Sequence, residues 1–167
     1  MFIMKKIILF ALCAIFVASC GSTKKASKTI PDVVQYRYDI DYLKNAGDGM
    51  STIKVWSYGK TAKDAEQKCK QNAVHGVIFK GYSGSGTVQP ALVKSPTGYS
   101  DNKEFFENFF RNGDYLRYIS STVDGSTETR KAQTGEYKVS ATMTINVKML
   151  RKHLEQAGII RGLTSGF

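Results

Sequence analysis

Cysteine, histidine, proline and tryptophan are all scarce in this chain: its 167 residues hold three, two, three and one of them. Three cysteines, Cys13, Cys20 and Cys69, are too few for a disulfide framework. With only His75 and His153 to offer, and those expected on different helices, no histidine or cysteine cluster has the spacing of a metal site, so no metal ligand is predicted. Neither histidine has a nucleophile close in sequence, which leaves no catalytic residue to name. No apolar run approaches the length of about 20 residues needed to span a bilayer. The glycines form no phosphate cradle either. Gly59-Lys60-Thr61 sits where a P-loop would end, but the glycine required five positions before Gly59 is replaced by Lys54. The glycines of Gly81-Tyr82-Ser83-Gly84-Ser85-Gly86 lack the dinucleotide-binding spacing. No cofactor is expected.

What is present begins with an address. Lys5 and Lys6 precede an apolar stretch, Ile7 to Ala18, closed by Val17-Ala18-Ser19-Cys20. A charged start, a short apolar segment and small residues before a cut are the parts of an export signal. The segment resembles the lipobox of bacterial lipoproteins. That resemblance implies removal of residues 1–19 and a mature chain starting at lipidated Cys20, anchored in a membrane by its acyl chains. Lys5 and Lys6 leave with such a leader, so 22 basic residues face 14 acidic ones, a net +8. An exported basic protein is expected to meet anionic lipid or glycan and acidic envelope proteins, not nucleic acid. Residues 20–31, with Lys24, Lys25 and Lys28 among Ser, Thr and Ala, read as a basic tether. Gly21 stands where Asp signals inner-membrane retention in many Gram-negative lipoproteins. This resemblance implies the outer membrane, and the basic tether favours its periplasmic side.

Residues 32–167 are long enough for one domain with a real core. Val34, Tyr36, Tyr38, Ile40 and Tyr42 alternate with polar residues as in a half-buried strand, and Thr52 to Tyr58 makes a second after turn residues at 45–49. Thr61 and Asp64 form a capping pair for a helix expected to end at Gly76, with Cys69 buried beside Ala65 and Ala73. Val77-Ile78-Phe79 then suits a short central strand. His75, just before a terminal glycine, would sit partly positive at the helix end. Residues 81–100 are irregular, with Pro90 and Pro96, and loops of this length are often functional. A helix over Asp101 to Asn112, a strand over Tyr115 to Val123 and a polar stretch from Asp124 to Thr134 follow. Tyr137 to Val147 alternates most cleanly of all, and Asn146 can cap a last helix carrying Leu150 and Leu154. The order ββαβαββα predicts an α+β fold: a two-layer sandwich, one mostly antiparallel sheet with helices packed on one face.

Phe105, Phe106, Phe109 and Phe110 fall in pairs one turn apart, chiefly as core. Beside the irregular segment, Tyr82, Tyr99, Phe105 and Phe109 are the candidate partner-binding residues. Two units, the alanine-rich helix running into Ala73-Val74-His75-Gly76-Val77 and the strand Gly135-Glu136-Tyr137-Lys138-Val139 leading to Leu150 and Leu154, resemble the N-terminal domain of flagellar assembly protein T and related outer-membrane lipoproteins. The likeness spans Ile53 to Leu154 and implies a small periplasmic α+β domain with an assembly role and no catalytic motif. The expected function is therefore a non-enzymatic accessory component of an envelope assembly or secretion complex. The competing expectation is a periplasmic carrier of an anionic small molecule, lipid or glycan.

Overall fold

The computed structural model describes residues 36–123 and 126–162, which fall in one compact unit. The leader, Cys20 and the tether lie outside the described residues, as does Val34.

Alternation along the chain builds the sheet. β1 (Tyr38–Gly47) and β2 (Met50–Gly59) form the expected antiparallel hairpin. Asp48 and Gly49 turn it, both with positive φ, as a tight hairpin turn requires. Across the body of the sheet the longest strand pairing is between β2 and β7 (Tyr137–Asn146), in register from Met50 opposite Asn146 to Gly59 opposite Tyr137. Two short strands share the other edge of β7: β5 (Ile119–Thr122) and β6 (Glu128–Lys131). On the opposite side β3 (Tyr82–Gly84) runs parallel to β1, and β4 (Thr87–Gln89) forms the edge. The order is β4-β3-β1-β2-β7-β5, with β6 also on β7. Only the β1–β3 pair is parallel, and the fold is the predicted α+β sandwich.

One face of each long strand is apolar and meets the helices. Ile53, Val55, Met143 and Ile145 of the sheet are buried with Cys69, Ala73 and Val77 of α1 (Ala62–Phe79) and with Leu150 and Leu154 of α4 (Val147–Gln156). Both caps read from the sequence form: the Asp64 N–H donates to Thr61 Oγ1 at 3.1 Å, and the Met149 N–H to Asn146 Oδ1 at 2.8 Å. Ala65, Cys69 and Ala73 are wholly inaccessible, and their small side chains let α1 lie close to the sheet.

The expected order ββαβαββα fails at three places. First, α1 continues through Val77-Ile78-Phe79, where a strand was expected. Gly76 lies inside the helix because a Cβ there would stand 2.9 Å from Ile40 Cδ1, so its bareness serves packing. The chain leaves the helix after Lys80, at Gly81, whose φ is +73° and whose N–H donates to the Gly76 carbonyl at 2.8 Å. The Val77 and Ile78 carbonyls accept from Leu92 and Val93, so the returning segment satisfies the helix end. Second, residues 81–100 hold the β3–β4 hairpin and a short helix α2 (Gly98–Asp101), and α3 (Lys103–Arg111) starts only after Asn102. Third, Asp114–Tyr118 is a 3-10 turn that puts Tyr118 into the core, so the strand expected from Tyr115 begins at Ile119, and the polar stretch 124–134 contains β6.

Candidate functional site

Three places gather the residues able to bind or react. The first is an aromatic cluster under α1 and α3. Tyr36 stacks on His75 with centroids 3.5 Å apart, and Phe79 and Phe110 close on the same ring. His75 Nδ1 shares a 2.8 Å hydrogen bond with the Tyr38 hydroxyl. Removal from water pushes the imidazole down to about 3, so it is neutral. This corrects the expected positive ring at a helix terminus: His75 is a mid-helix packing residue. The same desolvation raises the Tyr36 phenol to about 12 and raises Tyr38 as well. His153 stacks on Tyr118 and hydrogen-bonds its hydroxyl.

The sequence candidates Tyr99, Phe105 and Phe109 belong to this cluster. Phe109 is 3% exposed, between Phe105, Tyr118 and His153. Phe105 is half-buried against Phe106 and His153, and Tyr99 stacks on Phe106. These three side chains are core and core margin. Tyr82 is separate from them, on β3, stacked on Tyr42 with centroids 6.0 Å apart. Cys69 is also a packing residue. Its thiol faces the carbonyls of Val139, Ala65 and Val55 at 3.4 to 3.6 Å, and burial pushes its pKa up.

The second place is the outer face of the sheet, opposite to Ile53 and Val55. Trp56 and Tyr58 lie on it, under a lattice of cations. Lys54, Arg130 and Lys138 approach the Trp56 ring at 4.9 to 5.2 Å, and Arg37 lies 4.1 Å over Tyr58. Each cation also meets an acid: Arg37 bonds Glu136 at 2.9 Å, Lys138 bonds Asp39 at 2.8 Å, and Lys54 and Arg130 both bond Glu128. Three carboxylates thus offset most, not all, of the charge of four cations. Alternation in β2 and β7 exposed this pattern, but the acids come from β1, β6 and the turn before β7, which only pairing brings together.

The third place is a cavity of about 330 Å³ at the hairpin end of the sandwich, between the sheet and the start of α4. Tyr42, Tyr82 and Ser51 belong to the sheet side. Thr87 and Gln89 on β4 form one wall, and Val147, Lys148 and Arg151 of α4 the other. Tyr82 is the one predicted site residue that lines it. Its hydroxyl donates to Ser51 Oγ at 2.9 Å, fixing the ring.

Among the described residues no three His, Cys, Asp or Glu side chains gather as a metal site would need. At the start of α1, where a phosphate would sit, Asp64 already accepts from the Lys60 N–H and from Lys68 Nζ, and the Lys68 bond holds its carboxyl below the usual range. No family model, curated protein or solved structure matches the chain.

Proposed function

We propose that this chain is a lipid-tethered protein of the outer membrane, facing the periplasm, that serves without catalysis as an accessory part of an envelope assembly or secretion complex. One observation carries the non-enzymatic reading: the side chains best suited to chemistry have structural roles. His75 is neutral and stacked, His153 is bonded to Tyr118, and Cys69 is sealed under α1 with a raised pKa. The anchor reading rests on the lipobox-like sequence ending at Cys20.

Tethering supplies the mechanism. Tyr36 stands 16 positions after Cys20, so the chain between them reaches at most about 55 Å. Confinement to that shell raises the effective concentration of the domain near membrane neighbours. The contact surface proposed for such neighbours is the β3–β4 hairpin within residues 82–100. β4 is a sheet edge, and Val88 on it is 78% exposed, the most exposed large apolar side chain among the described residues. An edge strand offers unpaired backbone groups to an extended segment of a partner. The test is photo-crosslinking in the native envelope from position 88, with position 63 on the polar side of α1 as control. A discrete envelope protein captured from 88 and not from 63 supports the reading; equal capture from both sinks it.

A further inference from the structure

The cavity at the end of the sandwich differs from the outer sheet face in how its charges are placed. On the outer sheet face the cations meet carboxylates. In the cavity lining there is no carboxylate at all, while two cations are present. Lys148 has no acidic partner among the described residues, and Arg151 meets Glu155 only at 3.8 Å. Asp48, in the adjoining turn, is outside the lining. Both cations stand near the start of α4, whose first turn holds no acid although a helix start favours negative charge. The Lys148 and Met149 N–H groups are already bonded to the Gly49 carbonyl and Asn146 Oδ1, so an anion in the cavity would meet the two side-chain cations.

The other lining groups narrow the anion. The half-buried Tyr42 ring, backed by Tyr82, offers an aromatic surface suited to the C–H face of a sugar. Asn45, Thr87 and Gln89 place amide and hydroxyl groups around it, and apart from the bond from the Gly47 N–H to Asn45 Oδ1, none of the three has a side-chain hydrogen bond among the described residues. Amides and hydroxyls are partners for sugar hydroxyls and poor neighbours for an acyl chain. The volume lies at the small end for ligand sites, matching one ring rather than a long tail. We propose that this cavity binds an acidic monosaccharide unit, its carboxylate held by Lys148 and Arg151, its ring against Tyr42, and its hydroxyls at Asn45, Thr87 and Gln89. The proposal does not rest on the tether or on the partner contact, although Thr87 and Gln89 belong to β4.

The test uses the full chain, isotope-labelled and held in a sugar-free zwitterionic detergent. D-glucuronate, D-glucose, benzoate and inorganic phosphate are titrated in turn, and the amide shifts of Ser51, Gln89 and Lys148 are followed. Glucuronate is expected to bind saturably, and at least about tenfold more tightly than each of the other three. The double variant Lys148→Gln/Arg151→Gln should bind glucuronate no better than glucose, while Lys63→Gln keeps the wild-type preference. Should the double variant lose its dispersed spectrum, Lys148→Gln alone, at an exposed position, gives the same comparison with a smaller expected loss. A uronate trisaccharide that binds more tightly than the monomer assigns the site to a glycan chain; equal binding assigns it to free sugar. The proposal is overturned by glucose, benzoate or phosphate matching glucuronate, by an undiminished preference in the variant that folds, or by no saturable shift with any probe.

Discussion

At the scale of single residues, His75 makes acid sensitivity a built-in property. Its folded pKa, near 3, lies below the ordinary value of 6.5. Above pH 6.5 neither folded nor unfolded chain protonates the ring, and its contribution to stability is fully present. As pH falls from 6.5 towards 3, the unfolded chain takes a proton that the folded one refuses, so stability declines, by up to about 1.4 kcal/mol per pH unit. Replacing His75 alone by Phe would leave the Tyr38 hydroxyl without its partner. The double variant Tyr38→Phe/His75→Phe removes both halves of the bond and keeps the rings. Denaturant melts at pH 6.5 and pH 5 should show a smaller loss of stability in the double variant than in the wild type. An unchanged loss would assign the acid sensitivity to other groups.

At the scale of elements, the long strands and the capped starts of α1 and α4 were the legible part of the chain, and the end of α1 and the short strands were not. β1 and β7 declare themselves because apolar and polar residues alternate, and β2 because a β-branched and aromatic run follows turn residues. Val77-Ile78-Phe79 misleads because an apolar triplet has no period of its own, and Gly76 looks like a stop although Gly81 is the stop. What distinguishes the two glycines is a neighbour far away in sequence, Ile40, and only tertiary structure supplies it. Gly76→Ala therefore opposes two effects. Helix propensity favours alanine by about 1 kcal/mol, whereas a Cβ 2.9 Å from Ile40 Cδ1 and 3.1 Å from the Tyr38 ring costs about 1–3 kcal/mol in overpacking. A lower melting temperature is the expected outcome; a rise would show that the helix and sheet can move apart cheaply. Of the candidate site, Tyr82 was legible from the sequence, as an aromatic in an irregular segment. Lys148 and Arg151 were not, since two cations at a helix start acquire meaning only when β3 and β4 stand opposite. The outer face gives a second test, because Trp56 is the single tryptophan. With Lys54, Arg130 and Lys138 around its ring, iodide should quench its fluorescence more efficiently than caesium. Equal quenching would mean that Glu128 and Asp39 fully cancel the local field.

For the whole molecule, anchor and fold separate cleanly. The described residues contain no helix long and apolar enough to cross a membrane, so membrane retention in the proposed reading rests on Cys20. Cys20→Ser should release the protein from the membrane fraction while its thermal unfolding stays the same; retention in that fraction would refute the anchor. The lateness of β7 in the chain has a different implication. β7 is the last of the seven strands among the described residues, yet β2, β5 and β6 all pair with it, and its Val139, Met143 and Ile145 are buried. A nascent chain can pair β1 to β4 among themselves, but β5, β6 and the second edge of β2 have no native partner until residue 146 has been made. If the chain crosses a membrane as the proposed reading has it, the strand that completes the sheet and its core is the last strand to pass.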